Sequence, residues 1–205
     1  MPSKYITPHL ISFNSLDEFI DPNARKIIVN LFTGRKQNKD RPIEWKDLIH
    51  TKRAFIIGEP GCGKSTFLKE IVIQASGNGK QGIIFPINQI SSQVSIENYF
   101  EEVALLGDLE ATNLFEESAF KTNDFKWEDT ENVIVCLDAL DEVNANDFNG
   151  ICKKIKKFSD SYSNISIIIS CRSHYITSSQ NTLRQFIDYA YVKVQSFTEY
   201  QIREF

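Results

Sequence analysis

One stretch decides the fold expected of this chain: Gly58-Glu59-Pro60-Gly61-Cys62-Gly63-Lys64-Ser65-Thr66. It fits the pattern G-x-x-x-x-G-K-[ST] of a phosphate-binding P-loop. The apolar run at residues 54–57 before it predicts a short buried strand, and the apolar spacing after it predicts a helix over residues 65–75. Because strand, glycine-rich loop and helix follow one another in the order that a P-loop requires, we interpret the stretch as a nucleoside triphosphate site.

The residue types of this loop suit a polyphosphate. Gly58, Gly61 and Gly63 allow backbone conformations in which successive N–H groups surround a phosphate with no Cβ in the way. The positive end of the following helix adds to that field. Lys64 is placed to reach the β- and γ-phosphates, and the Ser65 hydroxyl is placed to bind Mg²⁺. We therefore expect residues 58–66 to bind ATP or ADP together with Mg²⁺.

Length and composition bound the remaining possibilities. The 205 residues suit one α/β domain with a flanking piece, and 41% of them are apolar, enough for a substantial core. The net charge of −4 gives no sign of binding to a nucleic-acid backbone. The one basic cluster, at residues 153–157, alternates with apolar residues at helical spacing and is interpreted as a solvated helix face.

Cysteine usage and hydropathy point to a cytoplasmic protein. The four cysteines lie far apart in the sequence, form no C-x-x-C pair and show no zinc-site spacing with the three histidines. They are expected to be buried thiols in a reducing compartment. Because no apolar run approaches transmembrane length and the polar N-terminus lacks a signal-peptide core, no membrane partner is expected.

The rest of the chain alternates predicted strands and helices, which favours a parallel sheet. Further strands are predicted at residues 82–87, 133–137, 165–169 and 191–194. Helices are predicted after Ser95 as an N-cap, then over residues 109–120, 147–158, 180–189 and from 198 onward. Residues 1–50 are the least informative part and are expected to be mostly helix and loop, with short helices at 16–20 and 24–32.

Two later predicted strands also end in polar chemistry. Asp138 follows the apolar run 133–137, which is typical of the Walker B aspartate that holds Mg²⁺. Asp141 and Glu142 come next as candidates to activate the attacking water, with Glu142 weakly favoured over a role in which the two merely cap a turn. Arg172, after strand 165–169 and the weaker candidate Ser170, is placed to contact a γ-phosphate or to pair with a surface acid. Ligands bind beyond the carboxyl ends of parallel strands, so these residues are expected to share one site.

Three of these segments together resemble the signatures of NACHT domains, in the STAND class of signal-transduction ATPases. They are residues 58–66, Leu137-Asp138-Ala139-Leu140-Asp141-Glu142 and Ser170-Cys171-Arg172, and they occur in the family's order. The small residue Ala139 after the aspartate, commonly Gly in the family, is the feature most specific to NACHT domains. One departure is Ser173, where many members have Pro. The resemblance covers roughly residues 50 to 205, and it includes the link from residue 194 onward into a helical domain.

The resemblance implies a three-layer α/β P-loop NTPase core, with a five-stranded parallel sheet in the ASCE-type order 5-1-4-3-2 and helices on both faces. It divides the chain into a flanking segment, 1–50, and an NTPase domain, 51–205, that stops at the start of a helical domain. It also implies a slow ATPase that acts as a switch, ADP-bound at rest and ATP-bound and self-assembled when an unknown trigger is sensed, in antiphage defence or innate immunity.

Two other functions remain open from the residues alone. An AAA+-like motor or loader would turn over continuously on nucleic acid or protein, and a small-molecule kinase would use the same P-loop. Ala139 directly after Asp138 and the acidic composition count against the motor. A kinase normally has a lid and acceptor-site residues, and no such residues are recognisable in the sequence.

Overall fold

The sheet has the strand order that the sequence predicts, with one strand added. The computed structural model describes residues 10–13, 16, 19, 45–90, 93–100, 127 and 132–195. In this part of the chain the strands are β1 (Leu10–Phe13), β2 (Arg53–Gly58), β3 (Gln81–Pro86), β4 (Val133–Asp138), β5 (Ser166–Arg172) and β6 (Ala190–Val194). They form one sheet in the order β1-β6-β2-β5-β4-β3. Strands β2 to β6 are parallel to one another. Counted with β2 as the first strand, they follow the predicted order 5-1-4-3-2, which is confirmed.

Helices and short turns connect these strands. The helices are α1 (Trp45–Leu48), α2 (Lys64–Gly77), α3 (Ala145–Ser161), α4 (Ser173–Ser178) and α5 (Gln180–Leu183). Turns of 3₁₀-helix lie at Ile87–Gln89, Leu140–Glu142 and Arg184–Phe186. Residues 96–100 are helical, and Ser95 accepts a hydrogen bond from the backbone N–H of Asn98 (3.1 Å), as its predicted N-cap role requires. The helices predicted at 24–32, 109–120 and from 198 onward lie outside the described residues.

Two apolar layers cover the two faces of the sheet, which makes the domain three-layered. Successive residues of a strand point to opposite faces, so each strand contributes to both layers. One layer contains α3 and the aromatic residues of the sheet, among them Phe55, Phe85 and Tyr191. The other contains the buried face of α2, which includes Phe67, Leu68, Ile71 and Val72. The two layers cover the faces of the sheet and leave the carboxyl ends of its strands uncovered.

The N-terminal segment, predicted to be mostly helix and loop, also contributes a strand to the sheet. Leu16 and Phe19, within the helix predicted at residues 16–20, are helical. Strand β1 pairs antiparallel with β6, from Leu10 opposite Val194 to Phe13 opposite Tyr191. Leu10 and Phe13 are both buried, and they belong to the layers on opposite faces of the sheet. The pairing therefore covers the outer edge of β6 and joins the flanking segment to the NTPase core.

The helix predicted over residues 180–189 is shorter in the structure. Helix α5 ends at Leu183, a 3₁₀ turn follows, and the backbone N–H of Tyr189 donates to the carbonyl of Phe186 (3.0 Å). Leu183, Phe186 and Tyr189 are all fully buried. Their spacing of three suits a 3₁₀ turn, in which side chains three apart are aligned, better than an α-helix. Burial of all three side chains therefore favours a 3₁₀ turn over a longer α-helix, and this turn leads the chain into β6.

Candidate functional site

Three strand ends and one loop surround a single pocket. In the parallel pairing, Gly58 at the end of β2 lies opposite Arg172 at the end of β5. The end of β4 lies on the other side of β5. The pocket formed there has a volume of about 330 Å³, and we call it the strand-end pocket. It is lined by Pro60, Gly61, Gly63, Lys64, Ser65, Thr66, Asp138, Ala139, Asp141, Glu142, Ser170 and Arg172.

The loop from β2 to α2 has a backbone suited to an anion. Gly61 and Gly63 have φ values of 75° and 87°, a region that side-chain-bearing residues rarely adopt. Helix α2 starts directly at Lys64, and no side chain caps its N-terminus. The first backbone N–H groups of a helix have no partner within the helix, so here they are available to a ligand in the pocket.

Not every residue of the predicted motif lines the pocket. Gly58 and Cys62 pack closely against each other outside the pocket. A Cβ on Gly58 would lie only 2.4 Å from the Cys62 sulfur, so the close packing requires Gly. Burial raises the pKa of the Cys62 thiol, which belongs to the apolar layer of α2. Glu59 is exposed at the rim, and its carbonyl accepts from the Cys62 backbone N–H (3.3 Å). These three residues shape the loop from outside the pocket.

Lys64 braces the loop that it belongs to. Its Nζ donates hydrogen bonds to the carbonyl oxygens of Gly58 (3.0 Å) and Glu59 (3.1 Å). Neither bond involves a carboxylate, so they leave the positive charge of the ammonium uncompensated. Because an ammonium carries three donors, Lys64 can contact a phosphate as well as the loop.

Asp138 is held in place by a residue that the sequence suggested only as a weak polar contact. Ser170 is fully buried, and its hydroxyl donates to Oδ1 of Asp138. The same hydroxyl accepts from the backbone N–H of Ala139 (2.8 Å). The sequence contained a signal for this contact, because Asp138 and Ser170 each directly follow a predicted strand. In the structure the last residues of those predicted strands, Leu137 and Ile169, lie opposite each other. Ser170 therefore fixes both the aspartate and the turn after it.

The turn after Asp138 explains why a small residue stands there. Ala139 has φ 63° and ψ 50°, the left-handed conformation that Gly adopts without steric cost. This conformation reverses the chain, so that the 3₁₀ turn Leu140–Glu142 folds back towards the end of β5. Asp141 and Glu142 are thereby brought to Arg172.

Arg172 binds both acids of this turn. Its Nε lies 2.8 Å from Oδ2 of Asp141, and its backbone N–H donates to Oδ1 of the same carboxylate (3.0 Å). Its Nη2 lies 3.2 Å from Oε1 of Glu142. Asp141 is only 4% exposed, whereas Glu142 is 44% exposed. The two acids do more than cap a turn, and the side chain of Glu142 is far more exposed to solvent than that of Asp141.

A model of the NACHT domain matches residues 52–205, which is most of the chain. This chain belongs to the NACHT family. The strand order and the P-loop identify this NACHT domain as a P-loop NTPase. Comparison with curated proteins gives no match.

Three solved structures show partial similarity to the NACHT domain. Hsp104 with ATPγS and FITC-casein, in a closed state, has 13% identity over 91% of this chain and 27% of its own, with a TM-score of 0.44. The Walker-type ATPase PABY2304 of Pyrococcus abyssi has 18% identity over 75% of this chain and 51% of its own (TM-score 0.41). A DnaB-like replicative helicase has 13% identity over 62% and 41% (TM-score 0.36). This chain thus spans between about a quarter and a half of those chains.

The pocket of the NACHT domain fits a magnesium-bound polyphosphate. Among the described residues, no group of three or more His, Cys, Asp or Glu side chains is arranged to hold a metal ion. Ser65 and Asp138 nevertheless line the same pocket. Mg²⁺ is usually bound by one or two protein ligands together with phosphate oxygens and water, so this sparse donor set suits it.

Within the described residues no helix is both long and apolar enough to span a bilayer.

Ser173, where the family resemblance led us to expect Pro, has a backbone that Pro could also adopt. It is the first residue of α4, a position at which Pro is common. Arg172 before it has φ −78° and ψ 145°, the extended conformation that a following Pro favours. The extended backbone of Arg172 is therefore compatible with either residue at position 173.

Proposed function

We propose that this NACHT domain binds ATP and ADP with Mg²⁺, hydrolyses ATP slowly, and uses its nucleotide state to control self-assembly in defence signalling. The observation that carries the proposal is the strand-end pocket, in which Lys64 at the start of α2 meets Asp138 at the end of β4 and Arg172 at the end of β5. A pocket that joins a phosphate-binding loop, a metal-binding carboxylate and a guanidinium is what phosphoryl chemistry needs.

Each polar residue of the pocket has a proposed task. The loop N–H groups and Lys64 hold the phosphates, while Ser65 and Asp138 hold Mg²⁺, which supplies charge neutralisation at the phosphates when bound. Glu142 is the better candidate for the general base. Asp141 is nearly buried and both of its oxygens accept from Arg172, which makes it a positioning residue for the arginine.

The switch is proposed to act through contacts that only a triphosphate makes. A ligand shifts an equilibrium between two conformations only by its differential affinity for them. Arg172 is bound to Asp141 and Glu142 in this structure, so a γ-phosphate would have to compete with two carboxylates for it. ADP offers no such competition. Two arrangements of Arg172, bound to acid or to phosphate, would thereby report the nucleotide state to the remainder of the protein.

The partners and the compartment belong to the same proposal. The protein is proposed to assemble with copies of itself when an unidentified trigger is sensed, as the family resemblance implies. The four described cysteines are free and buried, as expected for thiols in a reducing cytoplasm. No membrane or nucleic-acid partner is proposed.

Calorimetric titration of the Lys64→Ala variant with a non-hydrolysable ATP analogue and Mg²⁺ tests the proposal. Loss of a charge-assisted contact to phosphate is expected to weaken binding by roughly 10- to 100-fold. Lys69, exposed on the same helix and outside the pocket, provides the matched control Lys69→Ala, which should bind normally. Since Lys64 also braces the loop, thermal unfolding must show that the variant is folded. Unchanged affinity in a folded Lys64→Ala protein would refute the proposed site.

Steady-state turnover of ATP by the wild-type protein tests the slow-switch part separately. We expect little turnover, without stimulation by added DNA, RNA or protein. Brisk turnover that such an additive stimulates would favour a motor instead.

A further inference from the structure

Both carboxylate oxygens of Glu142 are engaged in this structure. Oε1 lies 3.2 Å from Nη2 of Arg172, and Oε2 accepts a hydrogen bond from the side-chain amide of Asn88 (3.2 Å). The two donors approach from different elements, Arg172 from the end of β5 and Asn88 from the 3₁₀ turn Ile87–Gln89 after β3. Glu142 lies on the turn after β4, between them. We call this arrangement the Glu142 clamp.

The clamp occupies an acceptor site on each carboxylate oxygen of the candidate base. A general base must accept a proton from the attacking water on a carboxylate oxygen. An oxygen that already accepts a bond from a guanidinium or an amide is a weaker acceptor for water, because part of its charge is compensated. Arg172 is held in the same arrangement by its two bonds to Asp141.

The two halves of the clamp are expected to respond differently to nucleotide. On the proposed function, a γ-phosphate attracts Arg172 and so draws the cation away from Glu142. Asn88 is uncharged and is absent from the residues that line the strand-end pocket, so a γ-phosphate there attracts it much less than it attracts the Arg172 cation. After Arg172 has moved, Asn88 is the donor that remains on Glu142.

We infer that Asn88 is a positioning residue that restrains ATP hydrolysis by holding Glu142 away from the attacking water. The inference rests on the proposed function, since it requires that Glu142 act as the base. It gives a structural reason for slow turnover: the site binds nucleotide with its base still hydrogen-bonded to an amide. Turnover then waits for the Asn88–Glu142 bond to open.

The test is the rate of ATP hydrolysis by the Asn88→Ala protein under steady-state and single-turnover conditions with Mg²⁺. Loss of this one solvent-exposed hydrogen bond should raise kcat by roughly two- to tenfold. KM for ATP and the affinity for a non-hydrolysable analogue should change little, because Asn88 lies outside the pocket. Asn88→Asp keeps the shape of the side chain, replaces the donor by an acceptor, and should also raise kcat.

Two controls separate the clamp from a structural effect. Asn78 is another asparagine whose side-chain amide donates a hydrogen bond, to the Gln74 carbonyl (2.8 Å), but at the opposite end of α2 from the pocket. Asn78→Ala should leave kcat unchanged. In the double variant Asn88→Ala/Glu142→Gln the acceleration should vanish, because the group that Asn88 restrains can no longer act as a base.

The possible failures are distinguishable. An unchanged or lower kcat for Asn88→Ala, with normal binding and hydrolysis by the wild type, overturns the clamp and leaves the proposed function standing. Persistence of the acceleration in the Glu142→Gln background also overturns the clamp. A wild-type protein that neither binds nor hydrolyses ATP refutes the proposed function, and the clamp with it.

Discussion

Replacing Ser170 by Ala should weaken both the fold and the metal site, because one buried hydroxyl serves two partners. It donates to the Asp138 carboxylate and accepts from the Ala139 backbone N–H (2.8 Å). A hydrogen bond to a charged group is worth about 1.5–3 kcal/mol, and a buried N–H left without a partner costs about 1–3 kcal/mol. Because these effects overlap, we expect a loss of about 2–4 kcal/mol of unfolding free energy. For a domain of this size that lowers the melting temperature by about 5–15 °C.

The functional effect of this substitution should fall on the metal rather than on the nucleotide. Asp138 would lose the donor that orients it, so half-saturation of ATP binding should require more Mg²⁺, while binding at saturating Mg²⁺ should be little changed. Calorimetric titration over a range of Mg²⁺ concentrations measures this, and differential scanning calorimetry measures the stability. Ser166→Ala is the matched control, since Ser166 is a buried serine on the same strand at the end remote from the pocket. Equal stability and Mg²⁺ dependence in the two variants would refute the reasoning.

Three further predictions address the backbone and the base. Ser173→Pro should raise the unfolding free energy by about 0.5–1 kcal/mol in thermal unfolding, because the backbone of Arg172 is already extended and the Ser173 hydroxyl is buried without a partner among the described residues; a lower melting temperature would contradict this. Gly82→Ala should cost about 1–3 kcal/mol in urea unfolding, because its Cβ would lie 2.9 Å from the Cα of Val72 on α2; an unchanged midpoint would show that α2 can shift freely. Glu142→Gln should bind Mg·ATP normally and hydrolyse it roughly 10²- to 10⁴-fold more slowly, and an unchanged rate would mean that another group is the base.

The parallel strands could be predicted because burial on both faces makes each of them an uninterrupted apolar run. Ile167, Ile168 and Ile169 show this, since all three are fully buried although they point to alternating faces. Strand β1 could not be predicted in the same way. Its four residues are too few for a periodic signal, and its partner β6 lies near the other end of the sequence. Helix α4 was missed for a related reason, because Ile176 is its one buried residue and so gives no periodicity.

The positions of the candidate site residues could be predicted, but their contacts could not. Strand ends follow from hydropathy, so Asp138 and Arg172 were expected at one edge of the sheet. Whether Arg172 contacts phosphate or acid depends on the direction that the chain takes at Ala139. Ala139 has a left-handed backbone conformation, which cannot be predicted from an alanine in the sequence. Asn88 was not singled out at all, because its interaction with Glu142 exists only once two separate loops are side by side.

The pairing of β1 with β6 also has a consequence for the order in which the protein can form during synthesis. Residues 10–13 leave the ribosome before the other strands of the sheet, yet the strand that they pair with is made only after β2 to β5. Until then β1 lacks its partner strand β6 and stays unpaired in the nascent chain. Once β6 docks beside β2, its outer edge presents unpaired N–H and carbonyl groups, the kind of edge that recruits strands from other chains. The early segment, held nearby by its own polypeptide, is positioned to close that edge before a neighbouring nascent chain does.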